Sequence, residues 1–187
     1  MAQNKKKIDF DILYSYFMSI FSFLYLFFLI NIKILYFVPL IVSLFYKKNI
    51  KFLLFLSLGI GFLQDSFSSI TFVFAFSYIF TTLSLYFLKR ILKENILNLT
   101  IFTYIYSVVF SILNPLFYSV FETPIKITLK WIFSDIFIMP IIDAFYSLVF
   151  FYLSVVLFSQ IRRLNIRKLW IIYKKIIFQK LPFLRLK

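Results

Sequence analysis

Residues 12–46 read ILYSYFMSIFSFLYLFFLINIKILYFVPLIVSLFY, a run broken only by Asn31, Lys33 and Pro39. As one helix it would be about 52 Å long, against a bilayer hydrocarbon core of about 30 Å. A break near Asn31–Lys33 resolves the mismatch by making two shorter spans. Reading outward from there, the expected spans are 10–30, 33–46, 51–64, 70–88, 96–120 and 131–159. The whole chain of 187 residues is 63% apolar with 29 Phe, where an ordinary soluble domain is about 45–50% apolar. No folded arrangement could hide that much Phe, Leu and Ile from water. A soluble globule is excluded.

Charge orients the spans. A net charge of +14 would point to nucleic acid in a soluble chain. Here the cations sit between apolar runs or in the tail, where topology signals belong, and no nucleic-acid partner is expected. Lys5, Lys6 and Lys7 open the chain like a signal peptide. No small-residue cleavage site follows, and Ile12–Ile32 exceeds a signal core, so the run is expected to remain as a span. Six spans with the N-terminus inside place Lys5–Lys7, then Lys47, Lys48 and Lys51, then Lys89, Arg90 and Lys93, then every cation after residue 160 in the cytoplasm. Only Lys33, Lys126 and Lys130 fall outside, and five or seven spans would spoil that segregation. The expected fold is therefore an all-α polytopic membrane helix bundle with six transmembrane helices and both termini cytoplasmic. Residues 1–160 form one membrane domain and 161–187 a basic amphipathic tail.

In that tail, Arg163, Arg167, Lys168, Lys174 and Lys175 fall on one side of a helical wheel. Ile166, Leu169, Trp170, Ile172, Tyr173, Ile176 and Ile177 fall on the other. Such a helix would lie on the anionic cytoplasmic leaflet until about Pro182; the plainer alternative is a positive-inside anchor with no further role.

Catalytic chemistry finds few candidates. Histidine and cysteine are absent, which removes His/Cys metal sites, thiol nucleophiles, disulfides and Ser-His-Asp triads. No cofactor or metal is expected. Among the acids, Asp9, Asp11, Glu94 and Glu122 read as loop or interface charges. Asp65, Asp135 and Asp143 call for a physical account, because a carboxylate within the bilayer is expensive.

Asp65 closes the stretch Gly59-Ile-Gly61-Phe-Leu-Gln-Asp65, which contains the chain's only two glycines. Small residues let a neighbouring backbone approach closely, so Gly59 and Gly61 mark a tight helix contact. A serine at position 61 is expected to fit there and a leucine is not. Asp65 could cap the next helix, accept bonds from Ser66, Ser68, Ser69 or Thr71, bind a solute or meet a partner. Asp135 and Asp143 flank Pro140 in the last span, about 12 Å apart along a helix. Asp135 lies close to the outer interface. Asp143 is deeper and must be protonated, paired or hydrated. A kink at Pro140 would free a carbonyl nearby, as in a proton or cation relay; a polar clamp between helices has the same signature. The Ser, Thr and Tyr of spans four and five suit interhelical hydrogen bonds.

The run from Pro39 to Arg90 resembles the bacterial rod shape-determining protein MreD family. The residues that carry the likeness are Pro39, the basic turn Lys47-Lys48-Asn49, the glycine helix ending in Asp65, the small-residue loop Ser66-Phe-Ser68-Ser69 and the span Phe72–Leu88. Pro140 also sits where that family often has a proline. One departure stands out: the family usually has a glycine shortly after the Asp loop, where this chain has Ile70-Thr71-Phe72. The resemblance implies a non-enzymatic subunit of the cell-elongation complex in the bacterial cytoplasmic (inner) membrane. Its implied partners are a single-span MreC-like protein, MreB, and RodA with its transpeptidase. The competing reading is a small transporter module, such as the substrate-binding subunit of an energy-coupling factor importer, also a compact six-span protein. A lipid-transferring enzyme ranks last, for want of an acidic cluster to hold Mg²⁺.

Overall fold

The computed structural model describes residues 10–24, 34–68, 71–122, 127–158 and 160. Within them the chain is 86% helical, with no strand. The helices are α1 (Phe10–Ser22), α2 (Val38–Phe45), α3 (Ile50–Ser68), α4 (Val73–Leu85), α5 (Ile96–Phe121) and α6 (Leu129–Phe158). Helices α3, α5 and α6 are each long and apolar enough to cross a membrane. Helix α4 continues as a 3-10 helix over Tyr86–Arg90, and the two together rise about 30 Å. Only about a third or less of the apolar window in α3, α5 and α6 is buried. Phe55 is 75% exposed and Leu129 86%. Outward surfaces this greasy require lipid as the solvent.

Helix α2 departs from expectation. The expected span 33–46 is, over its described residues, a turn at Ile34–Phe37 followed by a helix of eight residues. At about 12 Å it does not cross a bilayer by itself. Pro39 stands at its start, where the missing N–H costs nothing. Every residue of α2 except Ser43 is buried, with Val38, Ile41, Val42 and Phe45 fully enclosed. A helix apolar all round belongs inside a bundle, and α2 is the centre of this one. Residues 25–33, with the predicted break at Asn31–Lys33, lie outside the described residues.

Specific contacts tie the ends together. Tyr46 Oη, just past α2, donates to Leu92 O at 2.8 Å, which brings the turn carrying Lys47 and Lys48 beside the one carrying Lys89, Arg90 and Lys93. At the opposite end, Glu122 Oε1 accepts from the amide and hydroxyl of Thr71, joining the α3–α4 loop to the end of α5. The rings of Phe23 and Phe67 meet at 5.4 Å, and Tyr14 stacks on Phe158 at 4.2 Å. Helix α1 therefore runs with its start beside the end of α6 and its close beside the end of α3.

Helix α6 is continuous but not uniform. Residues Ile132–Ile138 and Ser147–Tyr152 are π-helical, and the α-helical Met139–Tyr146 between them holds Pro140 and Asp143. The first π segment ends just before Pro140, where the ring and missing N–H of a proline disturb the carbonyls of the preceding turn.

Candidate functional site

Two buried carboxylates organise the bundle, and each binds backbone rather than a counter-ion. Asp65, 4% exposed on α3, caps the start of α4 from outside that helix. Its Oδ1 accepts from Phe74 N at 2.9 Å and its Oδ2 from Ala75 N at 3.1 Å. These amides belong to the first turn of α4, where no intrahelical acceptor exists, and the helix dipole adds to the attraction. Of the partners expected from sequence, the next helix is the one it takes. Ser66 Oγ donates instead to Phe62 O, and Thr71 to Glu122. Ser69 lies outside the described residues.

Gly61 makes that cap possible. A Cβ there would stand 2.3 Å from Ala75 Cα and 2.6 Å from Ala75 N, so α4 rests directly on the α3 backbone. The expectation that serine fits at 61 is corrected: the obstacle is backbone, and even a first side-chain carbon meets it. Gly59 is corrected too. Its Cβ would meet nothing within 4 Å and it faces outward, because residues two apart on a helix point about 200° apart. The packing motif is Gly61 and Asp65, without Gly59.

Between Asp65 and α4, Phe72 adopts φ 64°, ψ −4°, the left-handed conformation that glycine favours. A non-glycine residue pays about 1–2 kcal/mol there. The Phe72 ring packs against Phe62 at 5.5 Å, and the Asp65 cap fixes the helix that follows.

Asp143, 2% exposed on α6, is the second clamp. Its Oδ1 accepts from Leu35 N at 3.0 Å, in the turn that leads into α2, and its Oδ2 from Ser107 Oγ on α5. One side chain thus joins three elements. The hydroxyl-bearing rings of Tyr36, Tyr78 and Tyr146 stand within electrostatic reach of it. Pro140 is buried one turn earlier. Asp135 is half-buried in the first π segment, about 12 Å along the axis from Asp143, so the two acids do not share a site.

Several other buried polar groups continue this cross-linking. Ser57 pairs with Thr82 at 2.8 Å, Thr82 with Tyr106 Oη at 2.9 Å, and Tyr106 Oη donates to Tyr78 O at 3.2 Å. Thr103 meets Tyr152 Oη at 2.9 Å, which in turn donates to Pro39 O at 3.4 Å. These bonds realise the interhelical role expected for the Ser, Thr and Tyr residues. Ser107 and the Leu35 amide escaped sequence reasoning, because a backbone donor and one serine among many carry no local signal. The tail cations Arg163, Arg167, Lys168, Lys174 and Lys175 lie outside the described residues.

Comparison with known protein families, with characterised proteins and with solved structures yields no match. Fold and site together define a class: over the described residues, an all-helical membrane protein in which Asp65 and Asp143 accept hydrogen bonds from neighbouring segments.

Proposed function

We propose that this chain is a non-enzymatic, multi-pass subunit of the bacterial cytoplasmic membrane that scaffolds the cell-elongation machinery, in the manner of the MreD family. The observation that carries the reading is the α3–α4 joint. Within the segment that resembles the family, α4 packs directly on α3, with Gly61 admitting it and Asp65 capping it. Its departure from the family falls at Ile70-Thr71-Phe72, and Phe72 holds the backbone conformation a glycine would take without strain. Both acids accept bonds from the protein itself, an arrangement suited to rigidity rather than turnover. In this reading six spans place both termini in the cytoplasm, the two adjoining basic turns face inward, and the tail rests on the anionic leaflet. The partners are a single-span MreC-like protein, MreB, and RodA with its transpeptidase.

Depleting the chain from its host is expected to round the cells, and purification in mild detergent to recover an MreC-like protein. The rival reading draws on α2, a half-length helix that starts inside the bundle as interrupted helices do at transporter substrate sites. Recovery of a stoichiometric ATPase pair with saturable solute uptake, and unchanged cell shape on depletion, would establish the importer instead.

A further inference from the structure

Two basic turns of this chain lie side by side. Tyr46 Oη donates to Leu92 O at 2.8 Å, and the rings of Phe45 and Tyr86 meet at 5.8 Å, so the turn after α2 packs against the turn after α4. Lys47 and Lys93 are the immediate neighbours of the two bonded residues. Ser57 and Thr82, bonded at 2.8 Å, fix the register of the antiparallel α3 and α4. From that bond Lys51 stands about 9 Å back along α3, and Arg90 about 12–15 Å on along α4 and its 3-10 continuation. The cations of both turns therefore finish at one end of the bundle. Lys47, Lys48, Lys51, Arg90 and Lys93 are exposed, and the only acid in the two turns is Glu94. Lys89 is engaged separately, its ammonium 3.7 Å over the Tyr86 ring.

The backbone adds to this positive field. Helices α3 and α5 begin here, at Ile50 and Ile96, so their positive ends lie in the same patch. Neither has an acid in its first turn, Asn95 makes no side-chain cap on α5, and Lys51 occupies a first-turn position where the dipole favours an anion. The helix leading into the patch is apolar on its outside: Leu83, Phe87 and Ile91 are each more than half exposed. A ligand that meets these cations and this surface together has an anionic head and hydrocarbon tails. An acidic peptide would match only the first.

We propose that the two joined turns form a headgroup site for a phospholipid with two phosphates on one short bridge, of the diphosphatidylglycerol type. Lys47, Lys48 and Lys51 meet one phosphate and Arg90 and Lys93 the other, with the acyl chains along the Leu83–Ile91 face. The assignment is independent of the cell-shape reading, since it needs only the paired turns and the surface beside them. The bound lipid would fasten the α2–α3 turn to the α4–α5 turn.

The test is native mass spectrometry of the full chain offered diphosphatidylglycerol and twice the molar amount of phosphatidylglycerol, which equalises phosphate and acyl chains. One diphosphatidylglycerol should be retained per chain, preferred by about fivefold or more, the effect of one further cation engaged. The double variants Lys47→Gln with Lys48→Gln, and Arg90→Gln with Lys93→Gln, each remove the answer to one phosphate and should each lose that preference. Both alter exposed side chains only and should melt as the unaltered chain does in lipid-free detergent. Lys130→Gln, at the opposite end of the bundle, should retain the lipid in full. Equal retention of the two lipids by the unaltered chain would overturn the proposal. So would full preference in either double variant, which would place the lipid on other cations, or an equal loss in Lys130→Gln, which would reduce the effect to bulk charge. An acidic protein recovered with the chain in place of lipid, and released by the same double variants, would also overturn it.

Discussion

Gly61 and Asp65, one turn apart on α3, meet the same peptide of α4. The Ala75 nitrogen lies 2.6 Å from where a Gly61 Cβ would stand, and it donates to Asp65 Oδ2 at 3.1 Å. The missing side chain and the carboxylate thus act as one joint: close approach brings the amides within reach, and the carboxylate satisfies them where water cannot.

Position 61 is expected to reject every side chain. Gly61→Ala should destabilise the fold by about 1–3 kcal/mol, the usual range for overpacking, and Gly61→Leu by more. Gly59→Ala, facing open space, serves as the control and should be neutral or slightly stabilising through helix propensity. Thermal unfolding in mild detergent reads the difference. Equal midpoints for Gly59→Ala and Gly61→Ala would remove the close-contact argument.

The Asp65 cap discriminates between substitutions by their acceptors. Asp65→Asn keeps one carbonyl oxygen for Phe74 or Ala75 and turns its NH2 towards the other amide, so it should cost about 1 kcal/mol. Asp65→Leu leaves both amides without their acceptor and should cost about 2 kcal/mol or more. The same detergent melts test this ordering, and an Asn variant as damaged as the Leu variant would contradict it.

Asp143 should behave as a clamp. Asp143→Asn can still accept from the Leu35 amide and donate to the Ser107 hydroxyl, so it should retain most stability. Asp143→Leu should lose about 2–4 kcal/mol, since the Leu35 amide then has no acceptor in a buried site. Ser107→Ala should fall between them. In cells, Asp143→Asn is expected to complement a deletion. Full loss of function in that variant, with normal accumulation, would show that the ionised carboxylate itself acts.

Topology follows from the cations. Reporters fused after Lys48, Lys93 and Lys187 are expected to register cytoplasm, and those after Ser68 and Thr123 the outside. The contacts that pair the Tyr46 and Leu92 turns, and separately Thr71 and Glu122, make each pair of neighbouring sites report alike. A cytoplasmic signal at Ser68 would refute the six-span arrangement.

Composition and spacing alone determined that this is a membrane protein of apolar helices. They also located its few costly residues, because each of those properties is additive along the chain. The helices over Ile50–Ser68, Ile96–Phe121 and Leu129–Phe158 lie close to their predicted bounds for that reason. What each acid bonds to was decided only by tertiary structure. Asp65 and Asp143 choose backbone amides at the starts of other segments, and a backbone amide is the same in every residue but proline, so sequence cannot mark it as a partner. Likewise, two glycines two residues apart look equivalent in sequence. Helical geometry turns Gly61 towards α4 and Gly59 away from it, and only the position of α4 gives that difference an energy. Helix α2 makes the same point at larger scale. Its residues are apolar enough for lipid, but its eight-residue length and the neighbours that surround it place it in a protein interior.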